Sequence, residues 1–394
     1  MTSDRPVELG TGLRDYLAGD TIRDQDYGGL ELQGRQLVAK DPIRIAVIGC
    51  GSHSRGALQP GLARLPHFDY VAACDLEEAA AADCARRYGA GALYTDYRRM
   101  LDEVRPEAVM VVGPPQLHLE AGLEAAARGI HLFVEKPSAP DLAGADALAD
   151  AFRRAGRIGA VGLFWRHAEA FQRAARLAAD AAFGTTLLFD GLYLSPGPRV
   201  PLWGSTDPAY SFLTDQAIHA VDAMRFLMGD VEELVARVGE GPDAAFGYAV
   251  SLRFASGAAG SLAVTSFTNA FSSRFTVHGS AGASLEITDA EALRLLARPA
   301  LPGGRGGYVD QNVAEWRQGW SYAGHLRPGY MEELVAFARA IRDGFPASAS
   351  LDDAAAALRV CVAILESART GRSVAPADLT ARSRRGRPSG PSRS

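Results

Sequence analysis

The chain has 394 residues, 47% hydrophobic and 22% charged, which excludes both a small single module and a wholly disordered chain and points to two domains. Its four cysteines, Cys50, Cys74, Cys84 and Cys361, stand in no paired metal-ligand spacing, which argues against a zinc module or a disulfide scaffold, so no metal is expected and a reducing compartment suits it. The net charge is −5, and the five arginines of residues 381–394 leave −10 on the remainder, a balance that argues against a nucleic-acid-binding surface.

Residues 1–42 read as a polar N-terminal extension with one short helix near Leu13 to Leu17. The start of the chain lacks the apolar stretch of a signal peptide, and no apolar run reaches the roughly 20 residues that span a bilayer, so no membrane partner and a cytoplasmic location are expected. From Ile43 the pattern changes. Short apolar runs at Ile43 to Ile48, Asp69 to Cys74, Ala108 to Val112, His131 to Val134 and Ile158 to Phe164 alternate with helical stretches over about 54–65, 77–88, 116–128 and 141–155. Such alternation predicts βαβ units and a Rossmann-type, doubly wound parallel sheet over residues 43–165.

Beyond Arg166 the elements cluster. Strands are expected over 184–194, 246–255, 258–268, 273–279 and 283–288, and helices over 167–181, 213–228, 329–343 and 352–369. Residues 166–372 thus form an α+β domain with an open, mostly antiparallel sheet, serving substrate binding and oligomerisation, and residues 373–394 a basic tail expected to be unfolded.

Gly49, Gly51, Ser52, His53 and Ser54 directly follow the first strand and open a helix, where glycines let the backbone approach a pyrophosphate seated on unpaired helix N–H groups. Asp75, 24 residues after Gly51 and just past the second strand, is placed to accept bonds from a ribose diol. Leu76 follows it where a basic residue would neutralise a 2′-phosphate, so NAD is favoured over NADP. Pro114, Pro115 and His118 stand at the carboxyl end of a parallel strand, beside the expected nicotinamide.

Glu135 and Lys136 end the next strand. Of the 41 basic residues only Lys40 and Lys136 are lysine, so a lysine here points to a need for a primary amine, one that can donate to a substrate hydroxyl and ease its deprotonation. Asp215 and His219 are spaced i, i+4 on a helix and can converge on one atom, with the imidazole suited to taking a proton from an alcohol. Lys136, Asp215 and His219 are therefore the candidate catalytic group, and with Trp165 and Arg166 the candidate substrate-binding group. Tyr193, Trp203, Tyr322 and His325 lie in segments that can reach the same cleft.

The ordered set Gly49-x-Gly51, Asp75, Pro114-Pro115-x-x-His118, Glu135-Lys136-Pro137 and Asp215-x-x-x-His219 resembles the glucose–fructose oxidoreductase, inositol dehydrogenase and rhizopine catabolism (Gfo/Idh/MocA) family, over about Ile43 to Gly371. The resemblance implies a dinucleotide-binding domain, a second domain whose exposed sheet face commonly makes a homo-oligomer (dimer or tetramer), a cis bond before Pro137, and catalysis by Lys136, Asp215 and His219. The function it implies is hydride transfer between NAD and a secondary alcohol of a small polyhydroxylated substrate: a sugar, amino-sugar or cyclitol. Tyr210-Ser211-Phe212 replaces the family's usual glycine-rich stretch, and Ala217 its usual glycine, which alters the pocket floor and leaves the substrate open. The first 40 residues lie outside the family pattern and can serve as an arm on a neighbouring subunit. Two other readings stay open: an NAD-dependent glycosidase that oxidises C3 transiently, and a non-enzymatic NAD-sensing regulator.

Overall fold

The computed structural model describes residues 30–33, 36–39, 41–297, 312–317 and 328–379. The expected helix near residues 13–17, the cleft candidates Tyr322 and His325, and residues 380–394 of the tail lie outside them; residues 373–379 of that tail, expected to be unfolded, are ordered, with Val374 bridged to Leu234 and Pro376 buried. Within the extension, β1 (Leu30–Gln33) and β2 (Gln36–Ala39) pair as an antiparallel hairpin, which the polar composition there had not suggested.

Strands β3 (Ile43–Ile48), β4 (Phe68–Cys74), β5 (Leu93–Tyr94), β6 (Ala108–Val111), β7 (His131–Val134) and β8 (Gly159–Val161) form a parallel sheet in the order β5-β4-β3-β6-β7-β8. The apolar runs of β3, β4, β6, β7 and β8 are buried on both faces, as a helix-covered parallel sheet requires, while the edge strand β5 is exposed at Leu93. The strand order reverses between β3 and β6. The chain leaves these two strands in opposite directions and opens a crevice at their carboxyl ends.

The second sheet has eight strands in the order β10-β11-β12-β9-β13-β14-β15-β16: β9 (Thr186–Leu194), β10 (Val231–Glu240), β11 (Phe246–Phe254), β12 (Ala259–Thr265), β13 (Ser272–Gly279), β14 (Ser284–Thr288), β15 (Ala292–Ala297) and β16 (Asn312–Arg317). Only the β9–β12 pair is parallel; the other pairings are antiparallel. Period-two alternation is clean in β11, where Phe246, Tyr248, Val250, Leu252 and Phe254 point into the core and Ala249, Ser251 and Arg253 point out. Helices Glu169–Ala178, 208–228 and Leu351–Thr370 pack on the inner side.

The helix Tyr330–Asp343, which the sequence assigns to the second domain, returns to the first. Tyr330, Leu334 and Phe337 pack in one buried cluster with Ile43, Ile45 and Phe133 of the parallel sheet. The cleft between the sheets is thereby walled by chain from both halves.

Candidate active site

The glycine turn after β3 brings bare backbone to the cleft. Gly49 has φ +96°, and a Cβ on it would stand 1.9 Å from the Val112 carbonyl oxygen, so only glycine permits the loops after β3 and β6 to meet. Gly51 has no protein atom within 4 Å of where its Cβ would be and faces the cavity. The chain is helical from 52 to 62, so its first N–H groups point at the same space. Asp75 sits behind the turn. Its Oδ2 accepts from the Cys50 N–H at 2.6 Å and its Oδ1 from the Glu77 N–H at 3.0 Å, which fixes the turn. Leu76 beside it is 89% exposed.

One cavity of about 970 Å³ is lined by Gly51, Ser52, His53, Glu135, Lys136, Asp215 and His219, so side chains from three separate stretches converge. The Lys136 ammonium donates to the Asp215 backbone oxygen at 2.7 Å and to its Oδ1 at 3.2 Å. The Lys136–Pro137 peptide is cis. His219 is 7% exposed, and its Nδ1 has no hydrogen-bond partner. Burial, then the positive charges of Lys136 and His53, hold its imidazole well below the ordinary histidine value, so it is neutral and free to accept a proton. Phe164 packs on it with centroids 4.6 Å apart, and Tyr330 stacks on Phe164 at 4.2 Å.

The helix bearing Asp215 and His219 begins at Pro208, five residues earlier than expected, and is π-wound over Leu213–Ala217. Among the described residues the other π-wound turn is Ser54–Leu58, in the helix after the glycine turn. Both widen a helix where it borders the cavity, a common placement for π turns.

Trp165, Tyr193 and Phe271 line the far wall and form a mutual cluster, with centroids 5.4 to 6.0 Å apart. Trp203, 58% exposed, flanks them. Phe164, Phe271 and Tyr330 were not singled out from sequence. The signal for Tyr330 was its place at the head of an apolar helix stripe; Phe271 has none, since its loop carries no periodicity.

Several expected contacts are corrected. Arg166 does not reach the cavity: it is 4% exposed, its guanidinium pairs with both Asp222 oxygens and with the Ser348 carbonyl, and it lies 3.3 Å from Asp353. An ion pair satisfied inside the fold leaves no donor for a substrate. His118 is also internal. Its Nε2 accepts from the Gly113 N–H at 2.9 Å and its Nδ1 lies 2.8 Å from the Pro137 oxygen, so it braces two cavity loops from behind. Pro114 and Pro115 open the helix Pro115–Ala127, and it is Val112 and Gly113 that face the cavity in their place. The Ser54 hydroxyl turns inward to accept from Gln59 at 2.9 Å.

Residues 43–163 match the family model described as an oxidoreductase family, NAD-binding Rossmann fold, and residues 198–375 match its C-terminal alpha/beta domain. The chain belongs to the Gfo/Idh/MocA oxidoreductase family. Levoglucosan dehydrogenase of Pseudarthrobacter phenanthrenivorans is 28% identical over 51% of this chain, a match that spans 60% of that protein. Myo-inositol 2-dehydrogenase of Thermotoga maritima is 25% identical over 84% of this chain and 98% of its own length. The crystal structure of a dehydrogenase from Chromobacterium violaceum superposes with a TM-score of 0.78 and 28% identity, covering 84% of this chain and 96% of that one. As in other Gfo/Idh/MocA oxidoreductases, the first domain is an NAD-binding one, and the residues here fit that cofactor: the open cradle at Gly51 and the N–H groups of 52–54 suit a diphosphate, and the Asp75 oxygens each keep a lone pair for a ribose hydroxyl. Among the described residues no helix is long and apolar enough to cross a membrane.

Proposed function

We propose that this chain is a dehydrogenase that oxidises a secondary alcohol of a sugar, amino-sugar or cyclitol with NAD, or catalyses the reverse reduction. The observation that carries this is the convergence of an amine, a carboxylate and a neutral imidazole on one cavity that also holds the glycine turn. Bound NAD supplies acceptance of a hydride from the carbinol carbon. The chain's own residues handle the proton and the position. His219 takes the hydroxyl proton. Lys136, oriented by Asp215, donates to the same oxygen and stabilises its developing negative charge. The aromatic wall of Trp165, Tyr193 and Phe271 offers flat apolar faces to the C–H surface of a sugar ring and keeps water from the reacting carbon.

Exposed Leu76, whose own side chain offers no cation to a 2′-phosphate, supports NAD over NADP. The outer face of the second sheet, with Leu188, Leu192, Ala249 and Ala263 toward solvent, supports a homo-oligomer. Four unpaired cysteines support a cytoplasmic setting. A panel of polyols and amino-sugars, read by NADH absorbance with NADP in parallel, tests the reading. NADH accumulation with one substrate class is expected. Release of an aglycone without net NADH would show the glycosidase cycle instead, and NAD binding with no turnover of any polyol would favour a regulator.

A further inference from the structure

A buried carboxylate at the cavity edge is paired with a half-exposed imidazole that the proposed chemistry leaves without a task. Glu135 is 3% exposed. Its Oε2 accepts from the Lys136 N–H at 3.1 Å, and its Oε1 faces His53 Nε2 at 3.3 Å. Room for this carboxylate exists because residue 162 is glycine: a Cβ there would lie 2.6 Å from Oε1. Behind it stands Glu333, on the helix Tyr330–Asp343, 2% exposed and with neither oxygen hydrogen-bonded.

Burial, reinforced by the Glu135 charge, pushes the Glu333 carboxyl well above the ordinary range, so Glu333 keeps its proton. Burial would push Glu135 the same way, but the His53 imidazole 3.3 Å away and the charge of Lys136 outweigh burial and hold it below the ordinary range. The Glu135 carboxylate beside it in turn raises the His53 imidazole above its ordinary value. These shifts favour a single negative charge on the buried pair and a positive charge on His53.

His53 is 45% exposed at the side chain and lines the cavity next to Gly51 and Ser52. Of the other groups there that can carry positive charge, Lys136 is committed to Asp215 and His219 is neutral. The groups facing the imidazole are Glu135 and Lys136 from the end of β7, Asp215 and His219 from the helix 208–228, and the Tyr330 ring at 6.2 Å with Glu333 behind it. Arg55, on its own helix, turns away to Asp83 at 3.7 Å.

We propose that His53, anchored by Glu135, is a phosphate-contacting cation of the dinucleotide site, closing over a diphosphate that the bare backbone at Gly51 and the N–H groups of 52–54 hold from the other side. This rests on the reading of the cavity as a dinucleotide site. The charged contact is fully made only while the imidazole is protonated, so affinity falls as pH rises through the His53 titration.

Calorimetric titration of the full chain with NAD and with ADP-ribose from pH 5.5 to 8.5 tests it. Both ligands are expected to weaken about ten-fold across the range, the scale of one charge-assisted hydrogen bond. His53→Gln should bind both about ten-fold more weakly at pH 6 with no pH dependence, and His53→Arg should bind tightly and without pH dependence. Wild-type affinity in His53→Gln, or a pH-independent wild type, overturns the phosphate contact and leaves the dinucleotide reading standing. A pH effect seen with NAD but not with ADP-ribose assigns the charge to the nicotinamide end and also overturns it. Binding of neither ligand at any pH overturns both.

Discussion

The Lys136 ammonium reaches across 79 residues of sequence to donate to both the backbone oxygen and the carboxylate of Asp215, at 2.7 and 3.2 Å. Two acceptors fix the direction of the amine, and its third proton remains for a substrate oxygen. Under the proposed roles, Lys136→Met lowers turnover by about 10² to 10⁴ while the NAD dissociation constant changes less than about three-fold. Steady-state kinetics beside calorimetric NAD binding measure the two separately. Turnover like that of the wild type would remove the amine from the mechanism.

His219 is held neutral by burial and by the charges of Lys136 and His53. A base whose titration lies well below the ordinary 6.5 is already unprotonated at pH 7, so kcat/KM is expected to be flat in this limb from pH 7 to 9 and to fall only in the acid range. His219→Gln should reduce kcat by about 10² to 10⁴ and abolish the acid limb. An acid limb that survives the substitution belongs to another group.

Arg166 serves the fold rather than the ligand. Its guanidinium is buried against Asp222 of the His219 helix. Arg166→Met leaves that carboxylate uncompensated and is expected to destabilise the protein by about 3 to 5 kcal/mol, measured by urea unfolding. The pair Arg166→Met with Asp222→Leu should recover most of the loss, because two apolar groups replace two charges. A substrate KM that moves without loss of stability would restore the sugar-binding reading of this residue.

What could be read from the chain and what could not divide along a physical line. Backbone chemistry is local: β-branched runs, a glycine turn and the lysine at a strand end announce themselves within a few residues, and the parallel sheet, the open mixed sheet and the family were legible from them. Side-chain direction is settled by distant partners. Arg166 is turned by Asp222 and Ser348, 56 and 182 residues away, and His118 by the Pro137 carbonyl, 19 residues on. No local pattern carries that information. Three of the overlooked strands, β5, β10 and β16, are sheet edges, whereas β15, also overlooked, lies between β14 and β16. An edge strand is short or carries charge on its open side, as β10 does with Glu232, Glu233, Arg237 and Glu240, so its apolar alternation is diluted.

His118 makes the acid sensitivity of the fold measurable. Full burial lowers its imidazole to about 4, against an ordinary 6.5, despite its bond to Pro137. The native state thus refuses a proton that the unfolded chain accepts, and between those two values stability rises with pH. The contribution is complete above pH 6.5, erodes as pH falls, and by pH 4.5 is reduced by about 2 to 3 kcal/mol at 1.36 kcal/mol per unit. His167, lowered to about 3 by burial and by Arg166, acts with the same sign, so a single variant must isolate the first. His118→Asn keeps a donor toward Pro137 and cannot titrate. It should be less stable than the wild type at pH 7, having lost the bond from Gly113, yet lose about 2 to 3 kcal/mol less on going to pH 4.5 in urea unfolding. Parallel losses in the two proteins would show that His118 is already protonated in the native state, and that the brace between the Gly113 and Pro137 loops is built differently.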